Sequence, residues 1–238
     1  MVTSLESLLE LQERDLALDR LRHRRETLPE RAALAAADAQ VAALQAEHER
    51  VRAARDEVLA EERRRDHEAQ SFAAQAEDHE RRLYSGEIAS PRDLQALQAD
   101  VQSLRRRQRE TEDLQLATME RREPLDGEVA HIEGEIERAE AAVVSAREAL
   151  AAAEAEIDRE AEGESVVRDE LAAGIAPALL ADYEQRRAKA KGVGAARLVG
   201  STCQGCHLTI PATEVDRIRK APEGTVSYCD NCGAILVP

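Results

Sequence analysis

Apolar residues in the first half of the chain recur in alternating steps of three and four, at Leu34, Ala37, Val41, Leu44, Val51, Val58, Ala69, Phe72, Ala76 and Leu83. Leu94, Leu97, Val101 and Leu104 open a second run of the same kind. It resumes at Leu125, Val129, Ile132, Ile136, Ala139, Val143, Ala146, Leu150, Ala153 and Ile157. A repeat of this spacing lines one side of a helix, and that side must bury against another helix. Mixed Arg and Glu fill most other positions. The pattern predicts two long helical arms.

Tyr84-Ser85-Gly86-Glu87-Ile88-Ala89-Ser90-Pro91-Arg92-Asp93-Leu94 separates the arms. Gly86 can take the left-handed conformation that ends a helix. Ser90 can cap the next one, Pro91 suits its first turn, and Asp93 stands where a capping-box acid would. A turn this short, near residues 85–90, makes the arms antiparallel neighbours. The expected architecture is mostly α: a coiled-coil helical hairpin over residues 1–170, elongated rather than globular.

Some positions break the register. Pro29 calls for a kink or a helix restart after the N-terminal segment of Leu11, Leu18, Leu21 and Leu28. Gln108, Thr111, Gln115, Thr118 and Arg122 put polar groups on the seam just before Pro124, which predicts a bent, weak stretch. His48, Arg55, Glu62, Arg65 and His79 also fall on the seam, where they specify register or snorkel. After Gly163 the pattern loosens. Residues 171–200 read as a connecting helix near Pro177–Lys191, then a hinge at Gly192 and Gly194.

Composition narrows the picture. Phe72, Tyr84, Tyr183 and Tyr228 are the whole aromatic set, too few for a large globular core. The net charge is −15; residues 171–191 carry +2 and residues 192–238 balance, which leaves −17 on residues 1–170. An acidic stalk repels nucleic acid and anionic membranes, while the C-terminal end can approach a polyanion. Arg186, Arg187, Lys189, Lys191, Arg197, Arg217, Arg219 and Lys220 are the candidate contacts for nucleic acid or another partner. The N-terminus lacks a basic segment followed by an apolar run, and no apolar stretch approaches bilayer length, so a cytoplasmic protein is expected.

The informative motif is Cys203-Gln204-Gly205-Cys206, then 22 residues, then Cys229-Asp230-Asn231-Cys232. Two residues between cysteines let both sulfurs of a tight turn face one ion, and four thiolates close a tetrahedral shell around Zn²⁺. Gly205 and Gly233 are expected to permit the turns. Leu208–Ile210, Thr225–Tyr228 and Ala234–Val237 read as short strands, and Thr213–Lys220 as one or two helical turns. Residues 201–238 thus form a four-cysteine zinc ribbon.

Other chemistry fits less well. Cys203–His207 matches the c-type haem motif, but haem would leave Cys229 and Cys232 unexplained. A dithiol redox site lacks its βαβ context, although zinc-bound thiolates that sense oxidant form an alternative regulatory reading. Four cysteines leave no open position for water, and no catalytic triad, paired carboxylates or phosphate loop stands out, so no enzyme is expected. His207 reads as a neighbour of the site, not a ligand.

Together these residues resemble the bacterial C4-type zinc-ribbon family, in which a long N-terminal helical hairpin precedes a C-terminal ribbon. The likeness rests on Tyr84-Ser85-Gly86 with Pro91, Leu94 and Leu97, on the Pro177–Lys191 helix, and on C-x2-C…C-x2-C-G. It implies Zn²⁺ on Cys203, Cys206, Cys229 and Cys232 and a non-enzymatic role; the leading reading is an adaptor or regulator that docks a protein or nucleic-acid partner through its ribbon and coiled coil. Subsets of the family are linked to nucleic acid, to alternative sigma factors, or to flagellar and secretion systems, and no residue here selects one; a protein partner, as in transcription or secretion machinery, is expected, with nucleic acid the other candidate.

Overall fold

A computed structural model describes residues 5–222 and 224–238. Met1–Ser4, the start of the stretch read above for a leader, lie outside the described residues. The elements are α1 (Leu5–Glu26), α2 (Pro29–Tyr84), α3 (Pro91–Ala173), α4 (Pro177–Lys189), β1 (Ala195–Val199), β2 (Thr202–Cys203), α5 (Ala212–Lys220), β3 (Ser227–Tyr228) and β4 (Ile235–Val237). The chain is a long helical hairpin with a small C-terminal sheet bearing four cysteines. Among the described residues no helix is long and apolar enough to cross a membrane. Two compact units are present, Leu34–Ala146 and the remainder on either side of it. The division differs from the linear boundaries at 170 and 200, because the N-terminal helix packs with the C-terminal ribbon.

The unit Leu34–Ala146 holds the hairpin turn and most of both arms. Every apolar seam position in it is buried or half-buried, with Val51, Ala69, Ala76, Leu97, Val101, Ile132, Ala139 and Val143 the most enclosed. A polar contact crosses the seam between His48 and Glu133 (3.2 Å), and ion pairs do so between Arg55 and Asp126 (3.8 Å), Glu62 and Arg122 (2.8 Å), and Glu80 and Arg105 (3.0 Å). As one residue number rises its partner's falls by a similar amount, which is the signature of antiparallel helices. Gly86 sits at φ +78, and the Asp93 N–H points to Ser90 O and Oγ, as the turn chemistry requires. Cysteines placed at Leu83 and Leu97 should therefore crosslink within one molecule; linkage found only between chains would mean a parallel dimer.

Residues 108–122, expected to be a bent and weak stretch, lie within one continuous helix. The α3 helix continues through Pro124. Thr111 and Thr118 are buried, and their hydroxyls donate to the carbonyls of Arg107 and Leu114, each at 2.9 Å. Gln115 donates to Asp66 (3.3 Å), and Arg122 reaches both Glu62 and Asp126. The polar layer is satisfied within the seam, so it interrupts the apolar pattern but not the helix. Gly163 likewise lies inside α3.

In the other unit, α1 runs along the last part of α3, with pairs from Arg14 to Glu164, Arg24 to Glu160 and Arg25 to Asp158. Pro29 restarts the helix as expected, and buried Leu28 anchors the break. The sheet has the order β2-β1-β4-β3, with β1 parallel to β4 and both outer pairs antiparallel.

Strand alternation sends the sheet's side chains to two faces. Ala196, Leu198 and Leu236 join Val215 and Ile218 of α5 with Cys203 and Cys229. Ala195 and Ile235 face the other way, against Leu8, Leu11, Ile175 and Tyr183. The ribbon is therefore covered on one side by helices from both ends of the chain.

Three further parts of the sequence reading meet the structure here. The sheet also takes in Ala195–Val199, which lies before the expected ribbon boundary at residue 201, as one of its two central strands. Leu208–Ile210 forms only an isolated bridge, from Thr209 to Thr202. The expected hinge is clamped: Gln12 Nε2 donates to Gly192 O (2.7 Å), while Gln12 Oε1 accepts from the N–H groups of Gly194 (2.6 Å) and Ala195 (3.1 Å). A Cβ on Gly194 would lie 2.6 Å from the Tyr183 ring and 2.8 Å from its carbonyl oxygen. This glycine provides contact space.

Candidate metal centre

Two turns of the same construction present the cysteines. In the first, His207 N–H donates to Cys203 O (2.8 Å) and Cys203 N–H to Leu208 O (3.1 Å). In the second, Gly233 N–H donates to Cys229 O (2.7 Å) and Cys229 N–H to Ala234 O (2.9 Å). Each turn closes on a left-handed residue, His207 at φ 57 and Gly233 at φ 77. The glycine reading thus holds for Gly233. Gly205 serves another purpose: a Cβ there would meet Ala196 Cβ and Val193 Cγ1 at 3.0 Å.

The sulfurs of Cys203, Cys206, Cys229 and Cys232 all lie within 4.8 Å of one another. Cys203 and Cys232 are 3.9 Å apart, and Cys206 and Cys229 3.8 Å apart. Four sulfurs at about 2.3 Å from one tetrahedral ion stand about 3.8 Å from each other, so the set fits Zn²⁺. Burial pushes the Cys203 thiol up, and pushes that of Cys232 up to about 12. At Cys229 burial also opposes ionisation, but the N–H groups of Cys232 and Asn231 outweigh it and the thiol goes down. Thiols this close become four thiolates together only where a cation takes the place of their protons. Cys203 and Cys229 are buried, while Cys206 and Cys232 are half-exposed. His207 is exposed and outside the cluster.

The basic candidates separate by location. Arg186 donates to Asp182 and to Gly233 O, and Arg187 reaches Asp19 (2.8 Å) and Asp15 (3.5 Å). Arg217 pairs with Glu214, Lys220 with Asp216, and Arg219 donates to Gly200 O. Lys189, Lys191 and Arg197 are exposed and have no ionic partner among the described residues.

One cluster was not singled out from sequence. Asp15, 2% exposed, accepts from Tyr183 Oη (2.6 Å) and Arg168 Nε (3.2 Å), joining α1, α3 and α4 under the ribbon. Its sequence trace is an Asp that stands at seam spacing between Leu11 and Leu18 of α1.

Comparison with known proteins gives the family. The model of the CT398-like coiled coil hairpin domain matches residues 11–191, and that of the C4-type zinc ribbon domain matches residues 202–236. The chain belongs to the CT398-like hairpin family with a C4-type ribbon. The uncharacterized protein Rv2229c of Mycobacterium tuberculosis is 35% identical over 97% of this chain and 94% of its own length. A structure from Mycobacterium smegmatis, 28% identical, covers 100% of this chain and 99% of its own with a TM-score of 0.82. CT398 from Chlamydia trachomatis, at 18% identity and a TM-score of 0.71, covers 98% of this chain and 96% of its own and shares the fold. Both matched family descriptions are structural, and neither names a catalytic activity. For this CT398-like chain they support zinc binding at the four cysteines.

Proposed function

We propose that the protein is a non-enzymatic, zinc-binding adaptor of the cytoplasm that docks a protein partner through its ribbon and coiled coil. The closed four-sulfur shell carries this reading. It leaves a bound ion no position for water or substrate, so the metal's contribution is to hold a surface in shape. A reducing compartment keeps such thiols available to zinc.

Protein is favoured over nucleic acid because five of the eight basic candidates spend their charge on intramolecular contacts. Those left, Lys189, Lys191 and Arg197, make a small electrostatic footprint for a polyanion. Crosslinking of the full chain in cells should capture the same protein with and without nuclease treatment, and Cys229→Ser with Cys232→Ser should lose it. Capture that depends on intact nucleic acid, together with salt-steep RNA or DNA binding abolished by alanine at Lys189, Lys191 and Arg197, would replace this reading.

The partial exposure of Cys206 and Cys232 supports a second one, a redox-sensing regulator. A peroxide that takes two electrons from a thiolate pair would join them as a disulfide and release the ion. Retention of zinc and four reduced cysteines after mild peroxide treatment would exclude it.

A further inference from the structure

The two cysteine turns share their backbone hydrogen bonds, but among the described residues only the second is gripped by a basic side chain. Arg186 of α4 donates through Nη1 to Gly233 O at 2.8 Å, and its guanidinium lies 3.5 Å over the Tyr228 ring. Arg186 Nε donates to Asp182 Oδ1 (2.9 Å), and Tyr228 Oη donates to Asp182 Oδ2 (3.0 Å). Tyr228 immediately precedes Cys229, and Gly233 immediately follows Cys232. One arginine thus grips both ends of the second turn, and Asp182 fixes the grip. Among the described residues no Arg or Lys side chain donates to the Cys203–His207 turn.

We propose that Arg186 is a positioning residue of the metal centre, which clamps the Cys229–Cys232 turn and so ties zinc retention to the docking of α4 on the ribbon. Two physical effects act in the same direction. A planar guanidinium bonded at one edge and stacked at its face fixes the turn in the geometry that aims both sulfurs at one ion. Its permanent positive charge, held on the Gly233 carbonyl, also favours a neighbouring centre whose four thiolates and Zn²⁺ sum to −2. Groups that orient ligands in this way are typically worth about 10–100-fold in metal affinity. The neighbouring Arg187 has no such role, because its bonds go to Asp15 and Asp19 of α1. The inference concerns metal retention and stands apart from the identity of any partner.

The test uses the full chain loaded with zinc, read by transfer to a chromogenic chelator, and with Co²⁺, read by its thiolate charge-transfer and d–d bands. Arg186→Gln should weaken zinc retention about tenfold or more and perturb the Co²⁺ bands, with Arg186→Lys recovering part of the loss. Tyr228→Phe keeps the stacked ring but removes the bond to Asp182, and should give a smaller loss in the same direction. Arg187→Gln should lower thermal stability yet hold zinc within about twofold of the parent. Retention unchanged in Arg186→Gln, or a loss in Arg187→Gln as large as in Arg186→Gln, would overturn the proposal. If Arg186→Gln does not fold, unchanged retention and an unchanged Co²⁺ spectrum in both Arg186→Lys and Tyr228→Phe would do so instead.

Discussion

Chelation of zinc should unfold the ribbon while leaving most of the helical signal in place. The ribbon strands are two to five residues long, too short for their own ladders to hold a sheet in water. Cys203 and Cys229 are themselves members of the cluster that packs the sheet against α5. Losing the ion therefore removes the crosslink and disturbs the core together. Structural zinc sites of this kind contribute apparent folding free energies of about 10–16 kcal/mol, as much as the whole stability of a typical domain. The hairpin seam of Leu34–Ala146 contains no cysteine and should persist.

Amide hydrogen exchange checks this directly: protection should vanish over residues 195–237 and survive on α2 and α3 around the turn. Cys203→Ser should have the same effect without chelator. Acid should mimic both, because metal binding releases protons from the thiols, so zinc is displaced as the pH falls. Unchanged protection after chelation, or iron in place of zinc on elemental analysis, would contradict the assignment.

Asp15→Ala should be the most destabilising single substitution outside the metal site, at about 3–5 kcal/mol. The side chain is buried and serves Tyr183, Arg168 and Arg187 together. Its removal leaves the buried phenol without its acceptor and takes a negative charge from beside Arg168 and Arg187, which keep only Glu184 and Asp19. Asp15→Asn keeps an acceptor and should cost less. Thermal unfolding monitored at the ribbon reads both; equal, small effects would mean that water replaces the carboxylate.

Burial first, and the bond to Asp15 second, push the Tyr183 phenol far up. An unfolded tyrosine ionises near pH 10, whereas the folded one keeps its proton. The stability that Tyr183 contributes is thus complete below about pH 10 and falls as the pH climbs above it. An ultraviolet titration of the native protein should show a tyrosine that ionises only when the fold is lost.

The arms, the turn and the gathering of four cysteines were legible in the sequence. Each of these is a local matter. A heptad seam reports its own burial through spacing, Gly86, Ser90 and Pro91 carry their backbone preferences with them, and paired C-x2-C turns bring sulfurs together over a few residues. Even the restart at Pro29 needs only the missing N–H and the ring of one residue.

Contacts between residues far apart along the chain set the rest. Ala195–Val199 became a strand because β4, some forty residues later, supplies its parallel partner, and its alanines carry little β propensity of their own. The Gly192–Gly194 segment looked like a hinge because glycine is permissive, yet Gln12, about 180 residues away, takes up its backbone groups. The polar stretch at 108–122 stayed helical because the opposite arm offers Asp66 and Glu62 at the matching height. Arg186 and Arg187 read alike as basic surface. Folding gives one the metal turn and the other the buried carboxylate, since adjacent helix positions point about 100° apart and meet different neighbours.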